Sequence, residues 1–183
     1  MVGLVGCVFW VGSMTDKLTI EPLTRDAFAP FGDVIEFEGR ESYLINNGMA
    51  DRYHAQSAIQ LAGDEARAVV SLVHSRQFDM PRKLDHMEYH PLGSQAFIPL
   101  DAQPFIVVVG EAAEAPDLDK IRGFVTNGRQ GIHYHVGTWH HVLLTPYQEM
   151  RFICVDRDGA GNNCVDYHIP ESRQYLLVCP EET

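Results

Sequence analysis

Apolar residues in this chain come in alternation or in short runs, each closed by Pro, Gly, Asn or Asp, which is the rhythm of strands and turns. Asp33-Val34-Ile35-Glu36-Phe37 alternates as an early strand. Ala96-Phe97-Ile98 stops at Pro99-Leu100-Asp101-Ala102-Gln103-Pro104, and Phe105 to Val109 follows as a second, wholly apolar run, so two strands joined by a short turn are expected. Further strands are expected from Trp139 to Leu144, Glu149 to Asp156 and Tyr175 to Cys179. Helical signals are sparse. Thr24 is a good N-cap for a short helix through Phe28, closed by Pro30 and Gly32. Asp117 predicts the cap of a second helix, whose Leu118, Ile121 and Val125 share one stripe and which ends near Gly128. Between Ala50 and Arg67 the chain is polar with weak periodicity, and loop and helix both stay open. Many strands and few helices, with no internal repeat, low-complexity tract or linker, predict an all-β barrel with small helical additions.

Onto this pattern the chain places two histidine-bearing segments, HMEYHPLGSQAFIPL at 86–100 and GIHYHVGTWHH at 131–141. On a strand, residues i and i+2 point to the same face, so Glu88 and His90 share a face and so do His133 and His135. Pro91-Leu92-Gly93-Ser94 carries turn formers that break the first strand, and Gln95 heads the next apolar run. After a turn at Gly137, alternation sets Trp139 and His141 on one face and His140 on the other. Adjacent His140 and His141 cannot both face the core. One must look into the lumen of a small barrel, where an unpaired imidazole is costly unless it binds something. Plainer readings stand beside these: Trp139 taken alone is a core aromatic, Asn46-Asn47-Gly48 is a turn, and Arg52 with Asp51, Asp64 and Glu65 is a solvated charged face.

Composition narrows the partners. The 183 residues match one domain, and a net charge of −11 argues against nucleic acid or an anionic membrane, both of which require basic patches. An acidic protein that binds a small anion needs local cations, and Arg52, Arg76, Arg82 and Lys83 are the candidates. Cysteines 7, 154, 164 and 179 form no C-x2-C pair and are read as reduced, Cys154 as a small core residue. The first thirteen residues, MVGLVGCVFWVGS, lack both the positive start of a signal peptide and the length of a membrane span. They are read as an extension, with Met14 as the working start, the alternative being a short anchor or docking strand, ahead of one domain over 14–183.

The two histidine segments resemble a degenerate cupin, a small double-stranded antiparallel barrel. Glu88-x-His90-x4-Gln95 stands against its first motif, and Gly137-x2-His140 against its second, with His135 where the family has proline. More closely, MEYHPLGSQAFIPL, YHVGTWHH, INNG at 45–48 and DRDGAGNNC at 156–164 together resemble the ureidoglycolate lyases of allantoin and purine catabolism, over about Leu18 to Cys164. Tyr89 stands where these enzymes commonly have arginine, and Val142 where proline usually follows the histidine pair. The resemblance implies a cytoplasmic homodimer that cleaves (S)-ureidoglycolate, a small anion, to glyoxylate and urea. It implies proton transfer by His90 and His140, with Glu88 orienting an imidazole or taking a proton. Gln95, Ser94 and Arg52 would bond carboxylate or urea, and Asn46, Trp139 and His141 would complete the substrate contacts. Glu88, His90 and His140, with Gln95 as a poor fourth, could hold nickel, manganese or zinc; no organic cofactor is implied. Two other classes remain: a metal-dependent cupin oxygenase or isomerase, and a non-catalytic cupin that binds a small molecule.

Overall fold

Strands dominate the computed structural model, which describes residues 16–180. They form two facing sheets. The first runs Ile20–Pro22, Arg122–Val125, Ile106–Gly110, Trp139–His140, His86–Tyr89, Val165–His168, and the second runs Gly32–Ile35, Gly131–Tyr134, Gln95–Pro99, Met150–Asp158, Arg67–Ser75. Every pairing within them is antiparallel except Ile20–Pro22 on Arg122–Val125. The strand-rich, helix-poor composition is that of an all-β, cupin-type fold.

The wholly apolar Ile106–Gly110 makes sense because the first sheet is covered on both faces. Val107 and Val109 enter the core between the sheets, with Val34, Ile132, Tyr134 and Phe152 opposite, while Ile106 and Val108 enter a second core with Leu84, Leu118, Ile121 and Leu177. Each of these buried aliphatic side chains contributes about 1.5–3 kcal/mol relative to an exposed one. Phe152 meets Phe97 and Phe105 edge to face, at 6.2 and 5.2 Å between centroids, and this packing ties the two sheets together. Among the described residues, the second sheet has no such outer layer at its edge. Val70 and Leu72 on Arg67–Ser75 are exposed.

The first helix is as expected, Arg25–Phe28 with the Thr24 hydroxyl accepting from Ala27 N–H. The second is not. Asp117 caps only a single 3-10 turn, Leu118–Lys120, and the chain then extends as Arg122–Val125. Strand pairing on both sides satisfies this backbone, and at Gly123 a Cβ would lie 2.4 Å from the Ile20 side chain, so the glycine serves close strand approach. The stripe was still informative, since Leu118 and Ile121 are buried. The strand expected over 139–144 ends at His140, and the one expected over 175–179 shrinks to Leu176–Leu177.

Asn46-Asn47-Gly48 forms the expected turn. Asn46 and Asn47 take left-handed φ of 52° and 56°, which asparagine tolerates, and so return Tyr43–Ile45 antiparallel along Ala50–Arg52. Segment 53–66 is irregular. Cys154, Cys164 and Cys179 are free thiols, Cys154 buried as expected. The extension 1–13 lies outside the described residues. No helix among the described residues is long and apolar enough to cross a membrane.

Candidate active site

Register brings the two histidine segments together. His140 lies directly across from Glu88, so the two side chains leave the first sheet on the same face, and His90 follows two residues along. The imidazole centroids of His90 and His140 are 5.1 Å apart, and Glu88 Oε1 is 3.6 Å from His140 Nε2. When His140 is protonated, the pair attracts as charges across that gap without a full hydrogen bond. The attraction to His140 outweighs burial and holds the Glu88 carboxyl down at about 2, so it is ionised throughout the neutral range.

Both rings are oriented by backbone carbonyls. His140 Nδ1 lies 2.9 Å from the Thr138 carbonyl, and His90 Nδ1 lies 2.6 Å from that of Asn163. A carbonyl only accepts, so each Nδ1 carries the proton, and in the neutral ring each Nε2 is left as a bare acceptor. Both Nε2 atoms are buried with no hydrogen-bond partner among the described residues. This orphaned pair beside an ionised carboxylate suits proton transfer. It also suits a cation: Glu88, His90 and His140 each offer a ligand atom, all within 4.8 Å of one another.

Glu88 and His140 line a cavity of about 330 Å³ that opens between the sheets, together with Gln95, Phe97, Tyr134, His141 and Asp156. Tyr134 stacks on His140, 4.4 Å between centroids and 16° from parallel. Its hydroxyl is buried without a partner, and burial raises its pKa far above the usual tyrosine range, so it stays a neutral donor. His141 donates from Nδ1 to the His86 carbonyl at 2.8 Å, and burial pushes its pKa down to about 4.

The profile of the ureidoglycolate lyase family matches residues 15–175. The chain belongs to the ureidoglycolate lyase family. It is 50% identical over 160 residues to the ureidoglycolate lyase of Stutzerimonas stutzeri, covering 87% of this chain and 94% of that one. It is 48% identical over 165 residues to the ureidoglycolate lyase of Pseudomonas fluorescens, covering 90% and 98%. A solved dTDP sugar isomerase from Desulfovibrio desulfuricans overlaps 78% of this chain and 87% of its own at a TM-score of 0.44 and 10% identity, too loose a likeness to argue from.

Within this family member, the structure gathers some of the expected site residues and disperses others. Glu88, His90, Gln95, His140 and His141 converge. His141 joins His140 on the cavity, against the strict alternation expected, because the strand ends between them. Trp139 takes the opposite face, into the second core, where its indole N–H donates to the Ala113 carbonyl at 3.0 Å. Ser94 is buried, and its hydroxyl accepts from the Gln60 N–H at 2.8 Å, which makes it a brace for the Gln95 strand and no cavity donor. Asn46 and Arg52 sit exposed on the hairpin, which among the described residues forms a two-stranded sheet of its own, and are not among the residues that line the cavity.

Tyr134, the residue between His133 and His135, was missed by sequence reasoning. Alternation held the signal, because two histidines facing outward put the tyrosine between them inward. Arg82 is the cation that contacts tie to the cavity: its guanidinium lies 4.8 Å from the ring centroid of Phe78, a lining residue, and its charge opposes protonation of His141. The Thr138 and Asn163 carbonyls left no trace in the sequence, since any residue type supplies a carbonyl.

Proposed function

We propose that this chain is a ureidoglycolate lyase, releasing urea from ureidoglycolate and leaving glyoxylate. The observation that carries the reading is the pair of orphaned Nε2 atoms on His90 and His140 beside the ionised Glu88, in a member of this family. The substrate carbon bears a hydroxyl, a carboxylate and the ureido nitrogen. One neutral imidazole takes the hydroxyl proton, the C–O electrons form the aldehyde, the C–N bond breaks, and the other ring, as imidazolium, protonates the departing nitrogen. No water is consumed, so the step is an elimination.

The roles divide by environment. A carboxylate held near 2 is a poor base at neutral pH, so Glu88 supplies the counter-charge for an imidazolium while the histidines carry the protons. Gln95 and the Tyr134 hydroxyl are neutral donors for the carboxylate or the ureido group. Arg82, packed on the lining residue Phe78 and close enough to act on His141, supplies positive charge for the anion. A nickel, manganese or zinc ion held by Glu88, His90 and His140, when bound, would polarise the substrate hydroxyl and lower its pKa. Such a set also keeps a metal-dependent isomerase or oxygenase as the second reading.

The product pair fits the breakdown of allantoin in purine catabolism, in the cytoplasm. A homodimer is the proposed assembly, supported by exposed Val70 and Leu72 on the uncovered edge strand and by Phe37, Leu44 and Met49 on and beside the hairpin. The test is urea and glyoxylate formation from ureidoglycolate, with and without chelator. Equimolar products are expected. Absence of both, under metal-replete and chelated conditions alike, would overturn the assignment.

A further inference from the structure

On the opposite face of the second sheet lies a cluster that the lumen chemistry does not use. Gly32–Ile35 pairs with Gly131–Tyr134 so that Asp33 lies directly across from His133, with His135 two residues on. Their side chains share the outer face, away from Tyr134 and the cavity. Asp33 Oδ2 is 3.4 Å from His133 Nδ1 and 3.2 Å from His135 Nε2, and one ligand atom from each of the three lies within 4.8 Å of the others.

We propose that Asp33, His133 and His135 form a second divalent-cation site, separate from the lumen, with zinc the ion that fits best. Tetrahedral zinc bound at about 2.0–2.1 Å sets its ligand atoms roughly 3.3 Å apart, and the two carboxylate–imidazole separations fall on either side of that value. Two imidazoles and one carboxylate are a borderline-soft donor set that suits zinc better than calcium or magnesium, which favour oxygen shells. His133 is fully buried, and its Nδ1 faces the cluster, 3.4 Å from Asp33 Oδ2; Ser57 Oγ lies 2.7 Å from the same nitrogen, so a bound ion takes over the lone pair that this hydroxyl now contacts. The His135 and Asp33 side chains are 36% and 37% exposed, leaving an approach for a hydrated ion and room for water at the fourth position.

A serine hydrolase arrangement is excluded by the same geometry. Ser57 Oγ lies 2.7 Å from His133 Nδ1, the nitrogen that Asp33 also approaches, so the ring cannot relay a proton from one to the other. As a neighbouring oxygen, Ser57 instead ties segment 53–66 to the site. The same segment holds the Gln95 strand through Gln60, whose N–H donates to Ser94 Oγ at 2.8 Å and whose side-chain oxygen accepts from Val136 N–H at 2.9 Å. The site is therefore a structural clamp whose ligands come from two paired strands and whose cover reaches the lumen wall.

The inference does not rest on the lyase reading, and its test needs no turnover. Chelator-stripped protein is titrated with zinc alone, bound metal being counted after equilibrium dialysis and thermal unfolding followed in parallel. The proteins are the wild type, Asp33→Asn, His135→Gln, and the lumen double variant Glu88→Gln/His90→Gln. The outer-face variants should each bind one zinc fewer per chain than the wild type, with affinity lowered by about 100-fold or more, and should lose the zinc-induced rise in Tm. The lumen variant should keep the outer-face zinc and its rise in Tm, whatever ion the lumen set itself binds. Cobalt in place of zinc should give the strong visible absorption of a tetrahedral ion in the wild type and the lumen variant only. Zinc stoichiometry unchanged by Asp33→Asn and His135→Gln, or a zinc-induced rise in Tm lost with the lumen variant, would overturn the proposal. Should the lumen variant not fold, the cobalt spectrum of wild type against His135→Gln decides it.

Discussion

Mild acid should unfold this protein through His141. Its ring is buried, Nδ1 donates to the His86 carbonyl, and Nε2 has neither solvent nor a protein acceptor, so protonation there meets an uncompensated buried charge. Burial outweighs the opposing hydrogen bond to the His86 carbonyl and, with smaller contributions from the His86 and Arg82 charges against Asp85, lowers its pKa from the ordinary 6.5 to about 4. A depressed histidine contributes fully above the unfolded value, and between about 6.5 and 4 the unfolded chain binds a proton that the folded chain refuses. Stability must therefore fall as pH drops through that window. The difference corresponds to ~3 kcal/mol, a large share of a typical domain's 5–15 kcal/mol. Glu88, depressed from 4.5 to about 2, acts in a lower window, so the limb near pH 5–6 is not its own. The assay is urea unfolding at a series of pH values for wild type and His141→Asn, whose amide nitrogen can replace Nδ1 as donor without titrating. Absolute stabilities will differ through packing; the slopes against pH carry the answer. His133, also lowered by burial, contributes equally to both proteins. Parallel slopes in the two proteins through this window would refute the reasoning, as would a ring titration by NMR near the ordinary value.

Two kinetic predictions follow from the cavity. His140→Ala should lower kcat by about 100- to 10,000-fold with a much smaller change in KM, because a proton-transfer group acts in the transition state; near-normal turnover of ureidoglycolate would return the ring to a packing role. Arg82→Ala should raise KM for the anionic substrate by about 10-fold while kcat changes little, as expected when one charge-assisted contact is lost, whereas Arg52→Ala, on the exposed hairpin, should leave both constants within about two-fold. Steady-state kinetics on the two variants side by side would reverse the assignment of the anion clamp if Arg52 proved the sensitive one.

The part of this protein legible in its sequence is the part governed by local rules. Alternation marked the strand around Val34, apolar runs marked those around Phe97, Val109 and Cys154, and Asn46-Asn47 marked a turn, because period, propensity and left-handed φ are properties of a few consecutive residues. Motif spacing likewise led to Glu88, His90, Gln95 and His140. Pairing decided the rest. Which of Trp139 and His140 enters the lumen depends on the register that sets His140 opposite Glu88, and whether Arg122–Val125 is strand or helix depends on partners on both sides that lie far away in the chain. Pairing in the second sheet turned His133 and His135 outward and Tyr134 inward, and the separate hairpin left Arg52 away from the cavity. Backbone carbonyls that orient His90 and His140, and the burial that keeps His141 neutral, belong to no residue type. They come from how the sheets close, since the direction of a carbonyl and the exclusion of water are fixed only when distant strands pack.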